Sequence, residues 1–409
     1  MTDEKKSGAG LRVALFTGNY NYMKDGVSLT LNRLVGFLLR NGAEVLVVAP
    51  TTRTPVFPPT GELMSVPSFA IPFRPEYRIS LGLTKGVRKR LEDFRPNLFH
   101  IAVPDMAGLQ ALHLAQRWKL PVVASYHTRF DFYLRYYGVG FAEPLMKKYF
   151  KYFYDRCEHT YPPSDSMAEL LRSEGIEGQM RIWSRGVDRA RFNPGKRDMA
   201  WRRSLGIDDD EIVISFAGRL VKEKNTAMLM RVLAALHKRG NRSRGLIIGD
   251  GPAADMMKAL NVNSVFAGFL HGEDVPRALA SSDLFMFPSD SETFGNVTLE
   301  AMACGLPAIC ADATGSRSLV TPGKTGYLLD SRNEDAFIAA AEQLIADPGL
   351  RTQMSANALA HAEQFDWETI NSGLLGNYRD AIRDFHARGD RVATPASMAA
   401  QRPHGVEAE

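Results

Sequence analysis

Two carboxylates, Glu292 and Glu300, bracket a Phe294-Gly295-Asn296 turn in the run ETFGNVTLEAMACGLP, which closes at Gly305 with Pro307 starting the next element. The turn reads as the opening of a helix. A helix start offers unpaired backbone N–H groups and the positive end of a dipole, where phosphate or sugar oxygens bind. One acid before that start and one inside the helix can grip hydroxyls on either side of such a group; the plainer alternative is an ordinary helix whose acids complement its dipole. A second pair, Arg219 and Lys224 in GRLVKEKN, follows directly on an apolar run. A planar guanidinium and a point-charge ammonium suit the oxygens of a diphosphate, although Lys222 and Glu223 in the same stretch also fit a solvated loop. His127 ends the run PVVASYH and is placed to donate a hydrogen bond to a sugar or phosphate, or to steer a proton; the competing role is to cap the following helix. Gly26, after Asp25, opens another helix and lets a ligand approach its N-terminus, but without a full GxGxxG pattern it does not read as a nicotinamide site. IGDGP (248–252) is a further strand-then-glycine turn, and the loop holding Phe269, Leu270 and His271 is placed to flank a base.

The elements that must position these groups alternate. LRVALFTG, a helix with Leu31, Leu34, Val35 and Leu38 on one face, and EVLVVAP make a β-α-β unit. NLFHIAV (97–103) and PVVASYH (121–127) continue it, dense in apolar residues with little alternation, as strands buried on both faces should be. The charged stretch RGVDRARFNPGKRD (185–198) reads as a linker. EIVISFAG, RGLIIGD, SVFAG, DLFMFPS and PAICAD then run a second cycle. The expected fold is α/β, two Rossmann-like doubly wound parallel-sheet domains facing across a cleft, with ligand at the carboxyl ends of the strands. A stripe of Trp367, Ile370, Leu374, Tyr378 and Ile382 marks an amphipathic helix that must lie on something.

With 409 residues the chain is long enough for two or three full cores. A net charge of +4 fits an anionic ligand or membrane surface, and no arginine-rich or zinc-knuckle pattern argues for nucleic acid. Cys157, Cys304 and Cys310 form neither a disulfide framework nor a metal pattern, and the acidic run DDDE (208–211) sits at the wrong end of its strand for the cleft. No metal and no cofactor is expected, and no apolar run is long enough to cross a bilayer. The segment from Tyr126 to Tyr161 is rich in aromatics (Phe130, Phe132, Tyr133, Tyr136, Tyr137, Phe141, Tyr149, Phe150, Tyr152, Phe153, Tyr154), with Arg129, Arg135, Lys147, Lys148 and Lys151 interleaved. That mixture suits a bilayer interface or a lipid headgroup, with some of the rings turned into the core.

GRLVKEKN, IGDGP, FPSDSETFGNVTLEAMACGLP and TPGKTGYLL resemble glycosyltransferase family 4, retaining enzymes of the GT-B architecture. KDGVSLTLNRL, HIAVPDMAGL, ASYHTRFDFYLRYYG and WSRGVD narrow the likeness to the branch of GDP-mannose-dependent α-mannosyltransferases and sulfoquinovosyldiacylglycerol synthases. The resemblance spans roughly residues 11 to 385. It implies that Arg219 and Lys224 hold the donor diphosphate and that Glu292 contacts the donor sugar. Phe294, Gly295 and Asn296 would offer backbone N–H groups, Glu300 would bind the ribose, His127 would lie beside the transferred sugar, and Gly26 beside the phosphates. Thr293 stands where glycine is common in the family and Asn296 where an aliphatic residue is common, which leaves the donor open. The expected organisation is a disordered N-terminus (1–10), an acceptor-side domain (11–190), a nucleotide-sugar-binding domain (191–365), a helix crossing back (366–386) and a disordered tail (387–409). The expected activity is retaining hexosyl transfer from GDP-mannose or a UDP-hexose or UDP-hexuronate to a lipid hydroxyl. The enzyme would be cytoplasmic, peripheral at the inner face of the membrane. A soluble or growing saccharide acceptor, or binding without turnover, are the alternatives.

Overall fold

The computed structural model describes residues 7–71, 74–129 and 140–392. Six strands, β1 (Arg12–Phe16), β2 (Glu44–Pro50), β3 (Glu62–Val66), β6 (Leu98–Ile101), β7 (Val122–Ser125) and β8 (His159–Tyr161), form a parallel sheet in the order 3-2-1-6-7-8. Between β3 and β6, β4 (Ser68–Ile71) and β5 (Arg74–Ser80) make an antiparallel hairpin. A second parallel sheet holds β9 (Ile212–Ala217), β10 (Ser243–Ile248), β11 (Ser264–Gly268), β12 (Leu284–Phe287), β13 (Ala308–Ala311) and β14 (Gly326–Leu329) in the order 11-10-9-12-13-14. Each order reverses once, beside β1 and beside β9, and such a switch point opens a crevice at the carboxyl ends.

The sequence dictates the local pieces. Asp25 caps the helix Gly26–Arg40, accepting from Ser28 N at 2.7 Å while the Ser28 hydroxyl answers the Asp25 amide at 3.1 Å. Within β1, Ala14 and Phe16 enter one core layer and Val13 and Leu15 the other, as a strand covered on both faces requires. One of those layers is closed by the helix Trp367–Val392, through Leu374, Leu375, Tyr378 and Ala381. The other takes in Phe150, Phe153 and Tyr154 from the helix Glu143–Tyr154, so these three rings of the aromatic segment are core. Phe130, Phe132, Tyr133, Arg135, Tyr136 and Tyr137 lie outside the described residues. No described helix is long and apolar enough to cross a membrane.

Several expectations are corrected. Strands β3, β8 and β14 and the β4–β5 hairpin went unanticipated because they are short edge or surface pieces without a continuous apolar run. Ser7–Gly10 is a turn rather than a loose end: Gly8 N donates to Asn41 O at 2.7 Å and the Ser7 hydroxyl to Asn41 Oδ1 at 3.0 Å. The last helix runs past 386 to Val392, with Arg388 ion-paired to Glu158 of the first lobe. The expected linker is tightly held. Val187 N donates to Phe365 O at 2.9 Å, and a Cβ on Gly186 would come 2.7 Å from Cγ of Trp367. The chain thus crosses between lobes at two adjacent points, and Val187 already belongs to the second core, ahead of the expected boundary at 190.

Candidate active site

Glu292 lies in the loop after β12. Its carbonyl is pinned by Gly315 N at 3.0 Å and by the Thr314 hydroxyl at 3.1 Å, so the backbone is fixed before the side chain acts. The carboxylate is ion-paired with the Lys224 ammonium, both side chains about one-fifth exposed, at 21% and 18%. Lys224 Nζ also reaches Ser291 Oγ at 3.3 Å, and that hydroxyl donates to Glu223 O at 3.2 Å. The two loops, after β9 and after β12, are thereby laced together although they are far apart in sequence. Arg219 springs from the same β9 loop and is exposed.

The turn after Glu292 is built for amide donors. Phe294 is buried and meets Phe365 edge-on at 5.9 Å, anchoring it. Gly295 sits at φ 95°, a left-handed conformation that carries little penalty only for glycine, and leads into the helix Asn296–Ala303, whose first turn no side chain caps. Asn296 reaches across to the first lobe: a Cβ on Gly26 would stand 2.7 Å from Asn296 Nδ2, so a side chain there would push the Asn296 amide aside. Within the second helix start, Asn296 Oδ1 is buried without a partner.

Glu300, inside the helix Asn296–Ala303, is mostly buried. Desolvation lifts its carboxyl to about 7, against the pull of Arg191 and then Arg33, one from each lobe. Arg33 lies over the Trp367 ring at 4.8 Å, and Arg191 donates to Gly272 O at 2.7 Å. Phe269 of the expected base-flanking loop is exposed and meets His271 edge-on at 4.6 Å.

His127 is buried just past β7. Its Nε2 is 2.8 Å from Ser125 Oγ and its Nδ1 2.9 Å from Arg185 Nη2, with Trp183 edge-on at 5.7 Å. Both ring nitrogens are therefore engaged inward, which corrects the expectation of a ring donor aimed at a sugar. What His127 presents across the cleft is its carbonyl, which accepts from the Thr293 hydroxyl at 3.0 Å. A second bridge between lobes runs from the Ser166 hydroxyl to Thr314 O at 2.6 Å. The structure thus gathers Lys224, Glu292, Phe294, Gly295, Asn296 and Gly26 around one closed interlobe seam. Sequence reasoning missed Arg185, Ser125, Thr293, Thr314, Gly315, Arg33 and Arg191 as parts of it. The arginine between Trp183 and Gly186, at a crossing point, was the one local signal.

The same two-lobed frame is found in a sucrose-phosphate synthase from Thermosynechococcus elongatus (TM-score 0.75, 18% identity, covering 91% of this chain and all of that one) and in HepE of Anabaena solved with UDP and glucose (TM-score 0.68, 20% identity, 90% and 99%). Together with the family matches that follow, the paired parallel-sheet lobes make this chain a GT-B hexosyltransferase that uses a nucleotide sugar. Residues 24–191 match Glycosyltransferase Family 4 and residues 198–361 match Glycosyl transferases group 1. A GDP-mannose-dependent alpha-mannosyltransferase of Corynebacterium glutamicum is 31% identical, over 91% of this chain and 89% of its own length, and a sulfoquinovosyl transferase of Arabidopsis thaliana is 30% identical over 96% and 78%. The chain belongs to glycosyltransferase family 4.

Proposed function

We propose that this enzyme moves a hexosyl group, with retention, from a nucleoside-diphosphate sugar to a hydroxyl of a membrane lipid. The observation that carries the donor half is the Lys224–Glu292 ion pair at the helix start. A donor separates the pair: the ammonium exchanges a carboxylate for phosphate oxygen, with Arg219 beside it, and the carboxylate exchanges the ammonium for sugar hydroxyls. Glu300 then takes the ribose, and the amides of Phe294, Gly295 and Asn296 take sugar and phosphate oxygens. The bond from the anomeric carbon to phosphate breaks while the acceptor oxygen bonds to the same face, and the departing phosphate oxygen accepts the acceptor's proton. Two cations and a helix dipole stabilise the leaving charge, the largest electrostatic contribution, so the step requires neither a metal ion nor a separate base. His127 acts through its carbonyl and its packing.

The lipid half is supported by Phe141 and Leu145, exposed at 85% and 72% at the start of the helix Glu143–Tyr154, with Lys148 exposed nearby. The relatives named for GDP-mannose make it the first donor to test, ahead of UDP-hexoses and UDP-hexuronates. A soluble acceptor is the second reading, favoured by a D-inositol 3-phosphate glycosyltransferase of Gordonia bronchialis that is 32% identical over 71% of this chain. Nucleoside diphosphate release is measured with GDP-mannose and UDP-sugars, with a membrane extract or inositol phosphate, with and without EDTA, alongside sedimentation with anionic liposomes. Release that depends on the extract, resists EDTA and accompanies sedimentation supports the proposal. Release with inositol phosphate alone replaces it by the second reading, and donor binding without release removes transfer.

A further inference from the structure

Behind His127 a single line of hydrogen bonds runs through the first lobe. Arg185 Nη2 lies 2.9 Å from His127 Nδ1, His127 Nε2 2.8 Å from Ser125 Oγ, Ser125 Oγ 2.9 Å from His100 Nε2, and His100 Nδ1 2.6 Å from the Tyr378 hydroxyl. All five side chains are buried, and they belong to four separate parts of the chain, ending on the last helix.

One group sets the direction of every proton. A guanidinium only donates, so His127 Nδ1 must carry a lone pair and its ring proton must sit on Nε2. That N–H donates to Ser125. The one serine proton then goes to His100 Nε2, so His100 carries its own proton on Nδ1 and donates to the Tyr378 oxygen. Arg185 is itself fixed, donating to Trp183 O at 2.7 Å and Ser184 O at 3.2 Å with its Cζ 4.9 Å from the centroid of the Trp183 ring. No carboxylate among the described residues forms an ion pair with it. Burial and the Arg185 charge hold His100 down to about 3 and His127 well below its usual range, so both rings stay neutral, as the chain of lone pairs and protons requires.

We propose that Arg185, Ser125, His100 and Tyr378 are positioning residues: they lock His127 as the Nε2–H tautomer and hold its peptide so that its carbonyl meets Thr293, and the chain is complete only when the last helix is docked. This rests on the seam being the transfer site, but the lock itself is read without turnover. In ¹⁵N-histidine-labelled enzyme, with His127→Gln and His100→Gln used for assignment, His127 should show an unprotonated Nδ1 and His100 an unprotonated Nε2, both unchanged from pH 6 to 8. Tyr378→Phe removes the terminal acceptor, and Ser125→Ala cuts the chain in the middle. Each should release the His100 tautomer while Arg185 keeps His127 as Nε2–H, whereas Arg185→Gln, whose amide can accept as well as donate, should mix the His127 tautomers; all three should lower kcat about 10-fold with donor KM within about 2-fold, since misplaced positioning groups cost rate rather than ground-state affinity. An Nδ1–H or cationic His127 in the wild type overturns the lock. Wild-type kcat in Arg185→Gln with the His127 tautomers mixed overturns its role, and unmixed His127 tautomers in that variant overturn Arg185 as the lock.

Discussion

At the scale of single residues, charge explains most of what the seam can do. Lys224 and Glu292 neutralise one another, so neither is a buried uncompensated ion before donor arrives. On the proposed mechanism, removing either breaks the pair and strips the leaving diphosphate or the sugar of a contact made in the transition state. Lys224→Ala and Glu292→Ala should each lower the transfer rate by about 100-fold or more, about 2.7 kcal/mol, with the fold retained by circular dichroism; near-wild-type rates in both would remove these roles. Glu300 gives a pH dependence. Its carboxyl is raised to about 7 from an ordinary 4.5, so the folded enzyme favours the neutral form, a stabilising preference present below about 4.5 and lost as pH rises through about 7. In the proposed ribose-binding role, the ionised form is the better acceptor for two hydroxyls. Donor kcat/KM should therefore rise between pH 6 and 8, and Glu300→Gln should lower and flatten that limb; an unchanged limb in the variant assigns it to another group. The meeting of Lys224 with Glu292 was legible because each sits within a compact motif. The engagement of His127 was not, because Arg185, His100 and Tyr378 come from distant parts of the chain and no local spacing links them.

At the scale of elements, the seam depends on where helices begin. Gly295 turns the chain left-handed so that the helix Asn296–Ala303 points its first amides at the seam, and Gly26 starts the facing helix without a side chain to block Asn296. Alanine at 295 must adopt a conformation that costs about 1–2 kcal/mol. Gly295→Ala should lower Tm by a few degrees, the scale expected for a lobe of this size, and weaken donor binding as the amides tilt away; thermal melting with and without GDP checks both, and a full donor-induced shift in the variant would show that the amides need no such turn. The buried parallel strands showed in the sequence as unbroken apolar runs, whereas β3, β8 and β14 did not, since edge strands need only one good face and a few residues. The last helix announced its apolar stripe but not its end, because the ion pair that carries it to Val392 joins Arg388 to Glu158, a partner no periodicity could reveal.

At the scale of the molecule, two lobes with separate cores are tied by a twin crossing at Gly186 and Trp367, by the last helix and by two small bridges, Thr293 to His127 and Ser166 to Thr314. The crossings tether the lobes covalently, whereas the two bridges depend on the closed seam seen here. Each bridge is a neutral hydroxyl-to-carbonyl hydrogen bond, worth about 0.5–1.5 kcal/mol net. That is too little to hold the lobes shut against a donor that must enter, yet enough to bias closure once it has. Thr293→Val keeps the shape and deletes one bridge. Its effect should fall on the closing equilibrium alone: kcat/KM lower by about 2- to 10-fold, Tm within about 1 °C because neither core changes, and a larger radius of gyration by small-angle scattering in the donor-bound state. Equal scattering profiles with wild-type kcat/KM would show that closure rests on the donor itself and not on the threonine bridge.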